Sequence, residues 1–367
     1  LYVDDLFVGG DVESREAFIE YLKSKYNVSS EGDIARYLGV SVTTGKGKWR
    51  LDQTREIEAF IKEHQMETAK KIDRPGDPSI RHDEMLEGPT VNQAQYRSTV
   101  GGLLWFAIAT RPDILYAVNI VAQFQQKPTT RAWTAVKRII RYLNTTKTIG
   151  IAIDPKNIDL TIFSDANHGD AALGDRLSIS GGAYYLGGSL VHWTCRKQRT
   201  PAHSAAESEL IAASEAVREG LWLLRLGEIM GTRGPIRVHI DNKAVIDIAN
   251  SKGLTRRVKH IEIRDAYIRV LRERGIVEVV QVPSSQNRSD LLTKAFQNPG
   301  TFIHARNTLF GMEASQHEAA GECCGKTSSC LSDVIGRSSD ANVCGCFLAE
   351  TGKSQRECLP RVIRDQF

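Results

Sequence analysis

Between Leu160 and Ala295, strand-length apolar runs and helix-period stretches follow one another in the order βββ-α-β-α-α-β-α, and this alternation constrains the fold more than any other feature of the chain. Leu160-Thr161-Ile162-Phe163 reads as a strand ending at Ser164-Asp165. Ile179–Leu186 and Ser189–Trp193 read as two more, joined by a tight turn at Gly187-Gly188. A long helix is expected from about Ser204 to Met230, then a strand Arg237–Ile240 ending at Asp241 and a short helix Lys243–Asn250. A helix Val258–Arg274, a strand Ile276–Val282 and a helix Gln286–Ala295 complete the run. The expectation is an α/β layer, a mixed five-stranded sheet flanked by helices.

Within that frame the carboxylates carry the chemistry. Asp165 and Asp241 each stand just past the end of an apolar strand, where α/β sheets build their ligand crevices. Glu209 falls near the start of the long helix and Asp290 near the start of the last one. Four acidic groups from four elements can crowd together only if something neutralises them. Two hard divalent cations do so, Mg²⁺ preferring carboxylate oxygen, and such a pair suits phosphodiester hydrolysis. Spacing alone is weak support, because 44 acidic residues offer many quartets. Taken singly, Asp165 or Asp241 reads equally as a helix cap or turn former, and His168 as a loop residue.

Composition bounds the setting. Lys+Arg 48 against Asp+Glu 44 leaves a formal charge of +4, which permits a nucleic-acid partner without arguing for one. No apolar run reaches the ~18 residues that a membrane-spanning helix needs. The first residues include Asp4 and Asp5 where a signal peptide would be basic and apolar, so an intracellular protein, cytoplasmic or nuclear, is expected. Of seven cysteines only Cys195 lies in the body of the chain, unlike a disulfide scaffold. Residue 1 is Leu and falls inside an apolar run, so the chain reads as a fragment.

Upstream of Leu160 the pattern is mixed. Asp4-Asp5, with apolar residues on both sides, reads as a hairpin tip. Ser14–Tyr26 is helical, Tyr37–Val42 and Trp49–Leu51 form a second hairpin around Thr44–Gly47, and Glu56–Lys71 returns to helix. Arg74–Asn92 is rich in Pro, Gly and charge and reads as a linker. Helices follow over Gln93–Ile108, Pro112–Gln125 and Thr130–Thr145, the last with Trp133, Val136, Ile140 and Leu143 on one face. Its Lys137, Arg138 and Arg141 read as a solvated side or as a phosphate-facing one.

Several words in one order then resemble a known family. Leu1-Tyr2-Val3-Asp4-Asp5 resembles the YVDD box of a polymerase palm. Tyr96-Arg97-Ser98 with Gly101 and Leu103-Leu104, Thr110-Arg111-Pro112-Asp113-Ile114, and Ala135–Leu143 resemble its downstream helices. Ser164-Asp165-Ala166, Trp193 with Lys197-Gln198, Glu207-Ser208-Glu209, Asp241-Asn242, Lys259-His260-Ile261 with Ile263-Arg264, and Asp290-Leu291-Leu292-Thr293-Lys294 follow. Over Leu1 to about Phe310 the chain resembles the C-terminal part of a copia-type retrotransposon polyprotein, the end of its reverse transcriptase and then its ribonuclease H domain.

The resemblance implies a ribonuclease H-like five-stranded sheet preceded by a truncated α+β palm and connection remnant. It implies divisions at 1–72 (palm and thumb remnant), 73–92 (linker), 93–152 (helical connection), 158–298 (ribonuclease H-like) and 311–367 (tail). The implied activity is Mg²⁺-dependent endonucleolytic cleavage of the RNA strand of an RNA–DNA hybrid. Asp165, Glu209, Asp241 and Asp290 would be catalytic and hold two Mg²⁺ ions, with Mn²⁺ able to substitute. Glu209 is chosen over Glu207 because Leu210-Ile211-Ala212 resembles the family context. Arg196, Lys197, Arg199, Arg256, Arg257 and Lys259 supply positive charge for phosphates. Asp4 and Asp5 would be a polymerase-motif remnant without polymerising activity, since the upstream palm precedes residue 1; the missing N-terminal part of the polyprotein is a candidate partner, and a membrane is not.

The chain also departs from the family pattern. Asn167-His168 stand where a tryptophan is usual, and Leu177–Gly181 and His203–Ala206 differ from the usual Ser/Thr-rich words. Met312–Phe367, rich in Ser, Gly, Glu and Cys and without periodicity, is expected to be disordered. It contains no C-x-x-C pair of the kind that marks structural zinc. The competing reading is a catalytically silent, decayed element that at most binds nucleic acid.

Overall fold

The computed structural model describes residues 5–45, 47–154, 158–170, 172–229, 231–232, 234–250, 267–312 and 361–365. Two units separate by their internal contacts, 35–311 and a smaller one made of 1–34 with 312–367.

In the smaller unit, β1 (Asp5–Val8) is followed by α1 (Val12–Lys25), which begins where the Asp11 carboxylate accepts a hydrogen bond from the Ser14 amide at 2.9 Å. A second strand, β2 (Val28–Asp33), flanks a three-stranded antiparallel sheet whose central strand is Arg361–Asp365. Disorder was the expectation for the whole tail. The strand at 361–365 differs from it because Val362 and Ile363 are β-branched and find unpaired edges on both β1 and β2. Residues 313–360, which hold the six distal cysteines, lie outside the described residues, as does Asp4. The expected Asp4-Asp5 hairpin is thus visible only as β1, and its described partner is the strand at 361–365.

The larger unit opens with β3 (Arg36–Tyr37), β4 (Val40–Gly45) and β5 (Lys48–Asp52). Leu38 and Gly39, both at positive φ, turn the chain between β3 and β4. Next come α2 (Thr54–Glu63), the single turn α3 (His82–Met85), α4 (Gln93–Ala109), a 3₁₀ turn Pro112–Ile114, α5 (Leu115–Ala122) and α6 (Thr130–Thr145). A short strand β6 (Ile151–Ile153) pairs with β5 and closes the four-stranded sheet.

The motif words of this half turn out to be structural. The Arg111 guanidinium, fully buried, donates to both Asp113 oxygens at 2.9 and 2.8 Å and to Thr146 O and Oγ1 at 2.9 and 2.6 Å. Tyr142 Oη donates to Asp113 Oδ2 at 2.6 Å. This network ties the 3₁₀ turn to α6 with every strong group of the ion pair satisfied, the condition under which a charge can be buried.

The five-stranded sheet consists of β7 (Leu160–Asn167), β8 (Ile179–Leu186), β9 (Ser189–Lys197), β10 (Ile236–Ile240) and β11 (Val277–Gln281), in the order β11-β10-β7-β8-β9. β10 runs parallel to β7 and β11, whereas β8 runs antiparallel to β7 and β9. One face is covered by α7 (Ala205–Ile229), with α8 (Lys243–Asn250) and a helical segment α9 over 267–273 beside it. Ile162, Tyr184, Val238, Leu210, Ala213, Ala216 and Val217 form the core there. Gly220 lets α7 lie flat on the sheet, because a Cβ at that position would run into the Ile162 side chain.

The opposite face is covered by the upstream helices and by α10 (Pro299–Phe310). Trp193 Nε1 donates to Ala107 O at 2.8 Å, Asn119 Nδ2 to Cys195 O at 2.8 Å, and Tyr185 Oη to Leu309 O at 2.8 Å. Buried polar atoms along this seam are therefore paired across it, which fixes its register.

One expected helix near the site changed form. Pro283 precedes the expected Gln286–Ala295 helix, and Asn287 Oδ1 takes the Ser289 amide at 3.2 Å and hydroxyl at 2.7 Å. That local capture breaks the helix into two 3₁₀ turns, Ser284–Gln286 and Asp290–Leu292. Of Val258–Arg274, only the part from 267 onward is described.

Candidate active site

β7, the central strand, carries Asp165 within its last three residues and not just past its end as expected, because the ladder with β8 runs on to Asn167. Its parallel neighbour β10 delivers Asp241 one residue past its own end. The 3₁₀ turn adds Asp290. Asp165, Asp241 and Asp290 each place one carboxylate oxygen within 4.8 Å of the others. The sequence separates these residues by up to 125 positions, and the sheet topology brings them together.

Glu209, on α7, is not one of these three but feels the charges of Asp165 and Asp241. Its carboxylate is buried (8% exposed), accepts from the Ala166 amide, and leaves Oε2 with no hydrogen-bond partner. Burial, and then the neighbouring charges of Asp165 and Asp241, push its pKa up to about 9. Burial and the Asp165 charge likewise raise Asp290 to about 7. Glu207, two residues before Glu209, serves the helix instead. Ser204 Oγ accepts from the Glu207 amide at 3.1 Å while Glu207 Oε2 accepts from the His203 amide at 2.7 Å, close to a capping box. Gln198 anchors the same first turn, donating to Ser180 Oγ at 3.0 Å and Ser208 O at 2.9 Å.

Asp165 is held from two sides. Thr293 Oγ1 donates to its Oδ2, and Lys294 Nζ stands 3.8 Å from the same oxygen and 3.0 Å from Asp290 Oδ1. Burial pulls the Lys294 pKa down, but Asp165 and Asp290 outweigh it and hold the ammonium above the ordinary lysine range. Asn287 Nδ2 donates to Ser164 O at 3.0 Å and pins the turn to the strand end. The approach depends on Gly181, which faces Asp165 across the β7–β8 ladder. A Cβ there would lie 3.2 Å from both Leu292 Cβ and Ser289 O.

A buried, unpartnered carboxylate oxygen beside three converging aspartates is a poor arrangement for a protein alone and a good one for hard cations. The donor set is all oxygen and all anionic, which fits divalent ions such as Mg²⁺ or Mn²⁺. Nearby, Asp170 Oδ2 accepts from Tyr116 Oη at 2.7 Å and from Asn167 Nδ2 at 2.8 Å, ordering the loop that follows Asp165, while His168 is exposed.

The cation candidates fare unevenly. Arg196 pairs with Glu219 at 2.6 Å and Lys197 with Asp175 at 2.6 Å, whereas Arg199 is exposed. Arg256, Arg257, Lys259 and His260 lie outside the described residues. Asp5 opens β1, away from the cluster in sequence and in a different unit. Sequence reasoning missed Thr293, Lys294, Asn287 and Gly181; only Lys294 left a usable signal, four residues after Asp290 on the expected helix.

A mixed five-stranded sheet with antiparallel β7–β8–β9, parallel β10 and β11, and acidic residues at the ends of β7 and β10 defines a ribonuclease H-like fold. The chain's curated relatives over most of its length are retrovirus-related Pol polyproteins of copia-type transposons. It is 29% identical over 327 residues to the Pol polyprotein of transposon TNT 1-94 from Nicotiana tabacum, covering 86% of this chain and 24% of that one. To the Pol polyprotein of transposon RE1 from Arabidopsis thaliana it is 31% identical over 309 residues, covering 81% and 21%. The chain thus spans less than a quarter of either relative. Among solved structures, the N-terminal RNase H domain of a Mycobacterium tuberculosis protein aligns at 11% identity and TM-score 0.30, over 41% of this chain and 99% of that one. No protein-family model matches the chain. Among the described residues no helix is long and apolar enough to cross a membrane.

Proposed function

We propose that this chain carries the ribonuclease H activity of a copia-type polyprotein, cleaving the RNA strand of RNA–DNA hybrids with Mg²⁺, which Mn²⁺ can replace. The observation that carries the proposal is the convergence of Asp165, Asp241 and Asp290 within 4.8 Å, with the buried Glu209 carboxylate feeling the charges of Asp165 and Asp241 and its Oε2 unpartnered. Bound divalent cations would supply an activated water and charge to meet the departing oxygen.

The chain's own residues hold and orient the rest. Asp165 sits at the centre, fixed by Thr293 and Lys294, and Glu209 faces Asp165 and Asp241 from the start of a helix whose cap is complete. Arg199 stands free at the end of β9 to meet a phosphate, while Arg196 and Lys197 would exchange carboxylate partners for phosphates on binding. Discrimination for the hybrid would rest on its groove shape and on 2′-hydroxyl contacts, since A-form geometry hides base identity.

The direct test incubates the full chain with a labelled RNA–DNA hybrid in Mg²⁺ and compares Asp165→Asn. That variant keeps shape and removes one charge, so it should cut cleavage at least ~100-fold, the loss of about 2.7 kcal/mol of transition-state stabilisation. Cleavage by Asp165→Asn within threefold of wild type would sink the assignment. Hybrid binding without cleavage by the wild type would favour the silent-element reading.

A further inference from the structure

The four carboxylates are not evenly neutralised. Lys294 Nζ is 3.0 Å from Asp290 Oδ1 and 3.8 Å from Asp165 Oδ2, so one ammonium already bridges that side of the cluster. Glu209 and Asp241 have no ion-pair partner among the described residues. One side of the site therefore carries a built-in cation and the other carries none.

A divalent ion held by Asp165 and Asp290 would share their carboxylates with the ammonium and meet its repulsion at close range. An ion held by Asp165, Asp241 and Glu209 need not displace it. The lysine also has somewhere to go. Its side chain is 41% exposed on a flexible four-carbon stem, and it lines a cavity of about 290 Å³ whose wall includes Tyr116, Arg138, Asn167 and Asp170.

From this geometry we propose that Lys294 is an internal counter-cation that competes with one of the two divalent ions, so that the site binds one ion tightly and the second only by displacing the ammonium. The proposal rests on the nuclease reading, and it goes beyond it by making metal stoichiometry a property of a residue outside the carboxylate quartet. Two consequences follow. Without metal, Lys294 relieves repulsion between Asp165 and Asp290. With metal, it sets the concentration at which the second ion enters.

The test is Mn²⁺ binding to the full chain by calorimetry, with wild type, Lys294→Gln and Lys294→Arg compared, together with melting temperatures in EDTA and in saturating Mn²⁺. Lys294→Gln should bind the second ion about tenfold more tightly, the change that 1.4 kcal/mol makes, and leave the first unchanged. Its melting temperature should fall in EDTA and return to the wild-type value in Mn²⁺. Lys294→Arg keeps the charge and should behave as wild type in both measurements. If Lys294→Gln unfolds without metal, Mn²⁺ should restore its far-UV signal, and failure to do so overturns the proposal. Equal second-site affinity in wild type and Lys294→Gln also overturns it while leaving the nuclease reading standing. A wild-type chain that binds no Mn²⁺ overturns both.

Discussion

Asp113 offers a sharp test of what holds the upstream helices in place. Its carboxylate is fully buried, accepts two hydrogen bonds from Arg111 and takes a third from Tyr142 Oη. In Asp113→Ala the guanidinium stays buried and keeps only Thr146 O and Oγ1 as acceptors, while the Tyr142 hydroxyl loses its acceptor and keeps only the Arg306 guanidinium, which donates to it at 3.4 Å. Breaking one side of a buried ion pair costs about 3–5 kcal/mol. A buried hydroxyl left with no acceptor adds about 1–3 kcal/mol, only partly additive because the groups share one network. A loss of about 4–6 kcal/mol is expected, against a total stability of roughly 5–15 kcal/mol for a domain. All five tryptophans lie in the 35–311 unit, so urea unfolding of the full chain followed by tryptophan fluorescence reads that unit. The triple variant Arg111→Met, Asp113→Leu, Tyr142→Phe removes the ion pair and the hydroxyl together, leaving Thr146, and should recover most of the loss. A decrease below about 1.5 kcal/mol for Asp113→Ala would refute the reasoning, as would a triple variant no more stable than the single one.

Further outcomes follow from the same geometry. Gly181→Ala should push the Asp290 turn away from Asp165, lowering hybrid cleavage more than ~10-fold while costing only about 1–3 kcal/mol of stability, and unchanged cleavage would show that the turn has room to yield. His192 packs against Tyr184 with its Nε2 buried and unpartnered, and burial holds its pKa below the ordinary value of 6.5. The unfolded chain therefore gains protons first as pH falls through about 6.5, so melting temperature should drop between pH 7 and pH 5, less steeply in His192→Phe; equal slopes would refute it. Residues 160–298 expressed alone should melt cooperatively but below the full chain, because Trp193 loses Ala107 O and Tyr185 loses Leu309 O; an equal melting temperature would show that the seam contributes nothing.

The strands and the strand-end aspartates were legible because both follow from local pattern. Apolar runs of fixed length end where Asp165 and Asp241 begin, and the five-stranded sheet needed nothing more. Glu209 over Glu207 was legible only through resemblance, although the capping arrangement of Ser204 and Glu207 supplies the physical reason after the fact. The surroundings of Asp290 were misread as helix, since the periodicity of Leu291 and Leu292 is real but Asn287 captures the backbone first. Gly181 and Thr293 carry no sequence signal because their importance lies in what packs against them, more than a hundred residues away in chain order. The strand at 361–365 depends on partners, β1 and β2, that only the tertiary structure supplies.

The parallel pairing of β10 with β7 has a consequence in time. Asp165 meets Asp241 only after a crossover through α7, and it meets Asp290 only once β11 has been added beyond β10. Such distant pairings form late, after the entropy of closing long loops has been met. A chain emerging from the ribosome therefore displays its strands β7, β8 and β9 and its long helix well before Asp165, Asp241 and Asp290 can meet. Any chain cut short before residue 290 lacks the third aspartate of the cluster and leaves Asp165 without its Lys294 ion pair.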